Sequence, residues 1–139
     1  MRPTLALTAL AFTACVHTNA ALIDSSIALA PICPAGVQLF TAAAQVGKPY
    51  REVAILESIG EAAATTDVEM YNAQRKKAAS LGANGVIIRA VREPLPDSTH
   101  VVTFFGPNPR RTVDAMAVLI PEDSARVRAA CPRAQTPSS

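Results

Sequence analysis

The chain has 139 residues, room for one domain and no more. Hydrophobic residues make up 50% and charged ones 17%, which sustains a core and excludes a disordered chain. Aromatics are 4% with no Trp, and 13 Lys+Arg face 11 Asp+Glu, so neither a base-stacking surface nor an electrostatic nucleic-acid binder is expected.

The first element is a leader. Arg2 is followed by an apolar run over residues 5–14, the pattern of a secretory signal and too short for a permanent bilayer span. Two processing sites compete behind it. Phe12-Thr13-Ala14-Cys15 reads as a lipobox, with small residues before the cysteine and Phe12 standing where Leu is usual. Thr18-Asn19-Ala20 reads as an ordinary small-x-small site that would discard Cys15 with the leader. The cysteine sits directly at the end of the apolar run, which favours the lipobox. Residues 1–14 are then a lipoprotein signal peptide and Cys15 is the lipidated residue. Each buried methylene of its acyl chains contributes ~0.8 kcal/mol, so the membrane attachment is effectively permanent.

Residues 15–35 have little periodicity and carry Asn, Asp, Ser and Pro; they read as a tether with a short strand over residues 26–30. The folded domain is expected over residues 36–131. Residues 37–41 form a short strand candidate, and Gly47-Lys48-Pro49 a turn. Residues 50–59 read as a longer strand whose centre, Val53-Ala54-Ile55-Leu56, suggests burial on both faces. Thr66-Asp67-Val68-Glu69 has the pattern of a capping box and opens a helix. Met70, Tyr71, Gln74, Ala78 and Leu81 fall on its inner face; Asn72, Arg75, Lys76 and Ser80 fall on the other. Gly82 supplies the left-handed stop. Residues 86–91 form a strand interrupted by Arg89. Residues 100–105 and 112–120 read as a hairpin around a Pro-rich tip carrying Arg110 and Arg111. A short helix over residues 122–130 ends at Cys131, and residues 132–139 read as a disordered tail. Two strands, a helix and three strands argue an α+β domain: one main helix packed on a small, mostly antiparallel sheet, plus a short C-terminal helix.

The residues that carry chemistry are few. With Cys15 lipidated, Cys33 and Cys131 remain as an even pair in an oxidising compartment. Their disulfide would close a loop of about 98 residues, stabilising by up to ~4.7 kcal/mol in the chain-entropy account; two free thiols or pairing between chains are the alternatives. His17 and His100 have no His or Cys at ligand spacing, so neither a metal nor another cofactor is expected. No Gly-x-Ser-x-Gly occurs, and Glu52, Glu57, Glu61 and Glu69 read as sheet-edge or cap charges. Gly82-Ala83-Asn84-Gly85 follows a helix instead of opening one, which makes it a helix stop and not a phosphate loop. Arg110 and Arg111 are an interaction-loop candidate, for anionic headgroups or a partner, set against a plain solvated tip.

Two stretches resemble the lipoprotein sensor family of the enterobacterial Rcs envelope-stress pathway. One is VGKPYREV (46–53), similar to that family's V-G-K-P-aromatic-R-acidic entry to a strand. The other is RKKAASLGANGVII (75–88), similar to its basic helix end, A-N turn and apolar strand. With the strand over residues 116–120, the likeness runs from about Val37 to Ile120. The family has two disulfides inside its domain and a long basic linker; here no cysteine lies between Cys33 and Cys131, and the tether is short and nearly neutral. The resemblance to proteobacterial lipoproteins also implies that Asp after the lipidated cysteine would retain the protein at the inner membrane. Val16 therefore points to the outer membrane.

The expected function is a lipid-anchored, non-enzymatic envelope interaction module in the outer membrane, facing the periplasm. It contacts envelope proteins as a stress sensor, or serves as a structural lipoprotein. The alternative from a different class is a soluble secreted or periplasmic small-ligand binder or enzyme, released after Ala20.

Overall fold

The computed structural model describes residues 16–94 and 109–132. The expected signal peptide, Cys15, His100, the first arm of the expected hairpin and residues 133–139 lie outside them. Among the described residues the order is β1 (His17–Leu22), β2 (Gln38–Phe40), β3 (Arg51–Glu61), α1 (Asp67–Ser80), β4 (Gly85–Arg92), β5 (Arg110–Leu119) and α2 (Ser124–Ala130). The strands form a five-stranded sheet in the order β1-β3-β5-β4-β2. Every pairing is antiparallel except that of β2 with β4. The α+β class and its one main helix are as the sequence implies. The element order differs before the helix, where three strands stand instead of two; the strand expected over residues 100–105 lies outside the described residues.

The largest correction lies at the front. Residues 17–22 are not tether: all six pair in continuous register with β3, from His17 opposite Ile59 to Leu22 opposite Ala54. Residues 26–30, expected as a strand, form none. Ile32, also assigned to the tether, donates its backbone N–H to Ala79 O at 3.0 Å and packs against the core.

α1 starts where the sequence says. The Thr66 hydroxyl accepts from Glu69 N at 3.3 Å, and the Glu69 carboxylate accepts from Thr66 N at 2.7 Å. Gly82 follows the helix with φ +76°, and Leu29 and the Ala30 carbonyl press where a Cβ would stand. Only glycine meets both demands at no cost. Met70, Gln74, Ala78 and Ala79 are buried. The interface beneath is rich in alanine, with Ala54, Ala83, Ala115 and Ala117 around Leu56 and Val86, so the helix backbone lies close to the sheet. Buried Gln74 donates to Val113 O at 2.8 Å and ties α1 to β5.

β3 is buried on one face only. Ala54, Leu56 and Ser58 face the helix and are fully buried, whereas Ile55 is 48% exposed. The strand covered on both faces is β5. Its Ala115 and Ala117 meet the helix side; Met116 and Val118 join Phe40, Val46, Ile87 and Ile120 in a second cluster on the far side. Arg89, read as an interruption of β4, sits where the β4–β5 register slips between Ile88 and Ala90, a bulge that puts it in solvent.

Asn84 joins the helix exit to the end of β5. Its amide nitrogen donates to Ile120 O at 2.8 Å, and its carbonyl oxygen accepts from Ile120 N at 2.7 Å. Asn84→Ala leaves both buried Ile120 groups unpaired and should cost about 2–4 kcal/mol in urea unfolding. Asn84→Asp keeps one bond but sets a carboxylate against the Ile120 carbonyl. Its deficit should shrink as pH falls and the acid protonates, whereas that of Asn84→Ala should not.

Candidate functional site

Cys33 and Cys131 are brought together as a disulfide, with Cα atoms 5.6 Å apart. The bond fastens the segment entering β2 to the end of α2. Beside it, the buried Asp123 carboxylate accepts from Lys48 Nζ at 2.5 Å and Arg126 Nε at 3.1 Å. Arg126 also donates to Gly36 O and Asn84 O. The Lys48 ammonium, and after it Arg126, hold the Asp123 carboxyl below the ordinary carboxylate range against the opposing effect of burial.

This clasp accounts for both motif stretches singled out in the sequence. Val46 is buried in the far-side cluster, Gly47 turns the chain at φ +63°, and Lys48 reaches Asp123. Asn84 of the A-N turn holds Ile120. In this chain those residues build the fold.

Arg110 and Arg111 do not ride a loop tip: they open β5, opposite Glu61 and Gly60 of β3. Arg110 is exposed beside a shallow cavity with His17, Ile59 and Glu61. Arg111 is turned onto the protein. Its guanidinium lies 2.8 Å from both Asp67 and Glu93 and donates to Thr65 O at 3.2 Å, locking β5 to the start of α1. A residue holding two carboxylates and a carbonyl is a brace, so of the pair Arg110 alone presents an exposed side chain.

The acidic residues are dispersed. Glu57 and Asp114 share Arg92 on the open sheet face, at 3.5 and 2.8 Å. Glu69 serves the helix cap, where the Thr66 N–H and hydroxyl keep its carboxyl below the usual range. His17 is exposed on β1 and bonds Asn19 at 2.9 Å. Among the described residues no three His, Cys, Asp or Glu cluster as a metal site, and no helix is long and apolar enough to cross a membrane.

A groove of about 580 Å³ lies between the start of β1 and α1. Val16 and Thr18 line its strand side; the Thr18 hydroxyl is fixed by buried Ser58 at 2.8 Å. Glu69, Asn72, Ala73, Lys76, Lys77 and Ser80 line its helix side. They recur at three- and four-residue spacing, which places them in one stripe along α1. Sequence reasoning missed this site because β1 was not recognised. The only available signal was Asn72, Lys76 and Ser80 sharing the outer face.

The architecture defined by these elements is an α+β domain with one long helix across a mostly antiparallel sheet and a second, short helix clasped by a disulfide. The crystal structure of FvfA, a Francisella virulence factor, is similar to it, with a TM-score of 0.54 and 13% identity. The match covers 73% of this chain and 96% of the FvfA chain, and at that identity it speaks for the fold alone. No protein-family model and no curated protein matches the sequence.

The clasp has two measurable consequences. Replacing Cys33 and Cys131 together by Ser should lower the unfolding free energy by roughly 2–5 kcal/mol; an unchanged urea midpoint would show that the crosslink adds nothing. The Asp123 carboxyl is depressed in the folded state, so its contribution is complete above the unfolded value of about 3.9 and fades as pH falls through the lower folded value. Asp123→Asn should therefore lose stability at neutral pH and flatten the acid limb of the stability profile below about pH 4.

Proposed function

We propose that this protein is a non-enzymatic, lipid-anchored module of a bacterial envelope. Cys15 holds it in the outer membrane with the domain facing the periplasm, where it works by contact with envelope proteins, as a stress sensor or a structural lipoprotein. The observation that carries the reading is the position of β1. Its ladder begins at His17, two residues after Cys15. Processing at Cys15 leaves the whole sheet intact. Processing after Ala20 would delete four of the six residues of β1, along with the Thr18–Ser58 bond.

Three further observations support it. Cys33 and Cys131 are paired, in keeping with an oxidising compartment. Glu57, Asp67, Glu69, Glu93, Asp114 and Asp123 are engaged in ion pairs or a helix cap, which suits a scaffold better than acid–base chemistry. FvfA, whose fold is similar, is a bacterial virulence factor. The resemblance to the Rcs lipoprotein sensors adds the suggestion of stress sensing.

Anchoring at Cys15 would leave almost no tether. Two residues of chain reach at most ~7 Å, so the domain would rest on the bilayer surface. Cells fed a labelled fatty acid should label the wild-type protein and not Cys15→Ala, and an inhibitor of the lipoprotein signal peptidase should accumulate the precursor. A mature chain beginning at Ala21, unlabelled, would replace this reading with a soluble protein released by ordinary processing.

A further inference from the structure

β1 is the terminal strand of the sheet, and among the described residues only its inner edge is paired. No described residue pairs with the backbone N–H and C=O groups of its outer edge. Proteins guard such an edge with Pro, Lys, a bulge or extreme shortness. β2 at the opposite edge is guarded by its length of three residues. β1, with the sequence HTNAAL, has none of these devices and pairs with β3 without a register shift.

The groove opens beside the start of this edge, where Val16 and Thr18 form its strand side. Its helical wall, the stripe from Glu69 to Ser80, is ~16 Å long at the rise of an α-helix, the length of about five extended residues. Ala73 keeps the space between the walls open. The net charge of the groove lining is positive, Lys76 and Lys77 outweighing Glu69, and neither lysine forms a salt bridge among the described residues.

We infer that this groove takes an extended peptide segment of another protein. The segment adds as a further strand to the outer edge of β1 and directs an Asp or Glu side chain at Lys76 and Lys77. Main-chain bonds supply the affinity of such strand addition, and alternate side chains supply the choice of partner. A second copy of β1 fits less well, because residues 17–22 carry no carboxylate to meet the lysines. A lipid phosphate would engage the lysines but leave the strand edge uncovered. The inference rests on the proposed processing only in that the mature chain must keep residues 16–22; acylation of Cys15 is not needed.

A random-peptide display library selected on the full mature chain tests it. Enriched peptides should alternate β-branched residues with Asp or Glu. Lys76→Glu combined with Lys77→Glu, both on the helix surface, should weaken a selected peptide roughly tenfold or more at unchanged Tm. N-methylation at alternate backbone positions of the peptide should weaken it about as much, since each removes a ladder donor. No enrichment, or peptides that bind the double variant equally well, overturns the proposal. So does a groove that engages phosphatidylglycerol vesicles or a second copy of the chain, lost in the same double variant, with no peptide selected.

Discussion

The two hydrogen bonds between the Asn84 side chain and the backbone of Ile120 hold the rest of the fold in place. An asparagine amide presents one donor and one acceptor at the spacing of a peptide group, so here it does the work of a further ladder residue beyond the end of β5. Ile120 is thereby held in the far-side cluster with Phe40, Val46 and Val118. The chain leaving Ile120 carries Asp123 to Lys48 and Arg126 to Gly36, and then Cys131 to Cys33. The Asn84 bridge fixes one end of this C-terminal segment and the disulfide fixes the other.

That clasp explains how a sheet with a thin second layer stays ordered. α1 covers one face from β1 to β4, whereas among the described residues the far face is covered where Phe40, Val46 and Ile120 pack together. Beyond that patch, Ile55 and the Glu57–Arg92–Asp114 ion group face solvent. Surface ion pairs of this kind contribute about 1 kcal/mol or less each. The disulfide and the buried Asp123 network therefore carry a larger share of the stability than the exposed face does. Reduction or acid, which weaken the clasp, should loosen the β2 and α2 end before the β3–β5 centre.

The parts legible in the sequence were those fixed by local chemistry. The capping box at Thr66, the left-handed Gly82 and the short C-terminal helix depend on residues within a few positions of one another, and each lies where the pattern puts it. The disulfide was legible because three cysteines with one assigned to a lipid leave a single pair. The misreadings all concern long-range partners. HTNAAL has no apolar alternation because β1 is an edge strand, half-buried on one side, so periodicity had nothing to register. Val53-Ala54-Ile55-Leu56 looked doubly buried, yet the second cover lies over β5, a fact set by Phe40 and Ile120 far away in sequence. Arg111 looked free because its partners, Asp67 and Glu93, stand on other elements. The groove was invisible for the same reason: half of it is β1.

β1 is also where stability and recognition meet. Its inner edge is committed to β3 along its whole length, and the Thr18–Ser58 bond secures one face, so the strand is held without help from its outer side. A strand held that way keeps its free backbone groups in an extended, regular array, which lowers the ordering cost for anything that pairs with them. The clasp at the opposite end of the molecule makes no use of this edge. An edge strand that the fold neither needs to cover nor has blunted is a feature that stability alone does not explain. Lys76 and Lys77, without a carboxylate partner among the described residues, give that edge a sign as well as a shape.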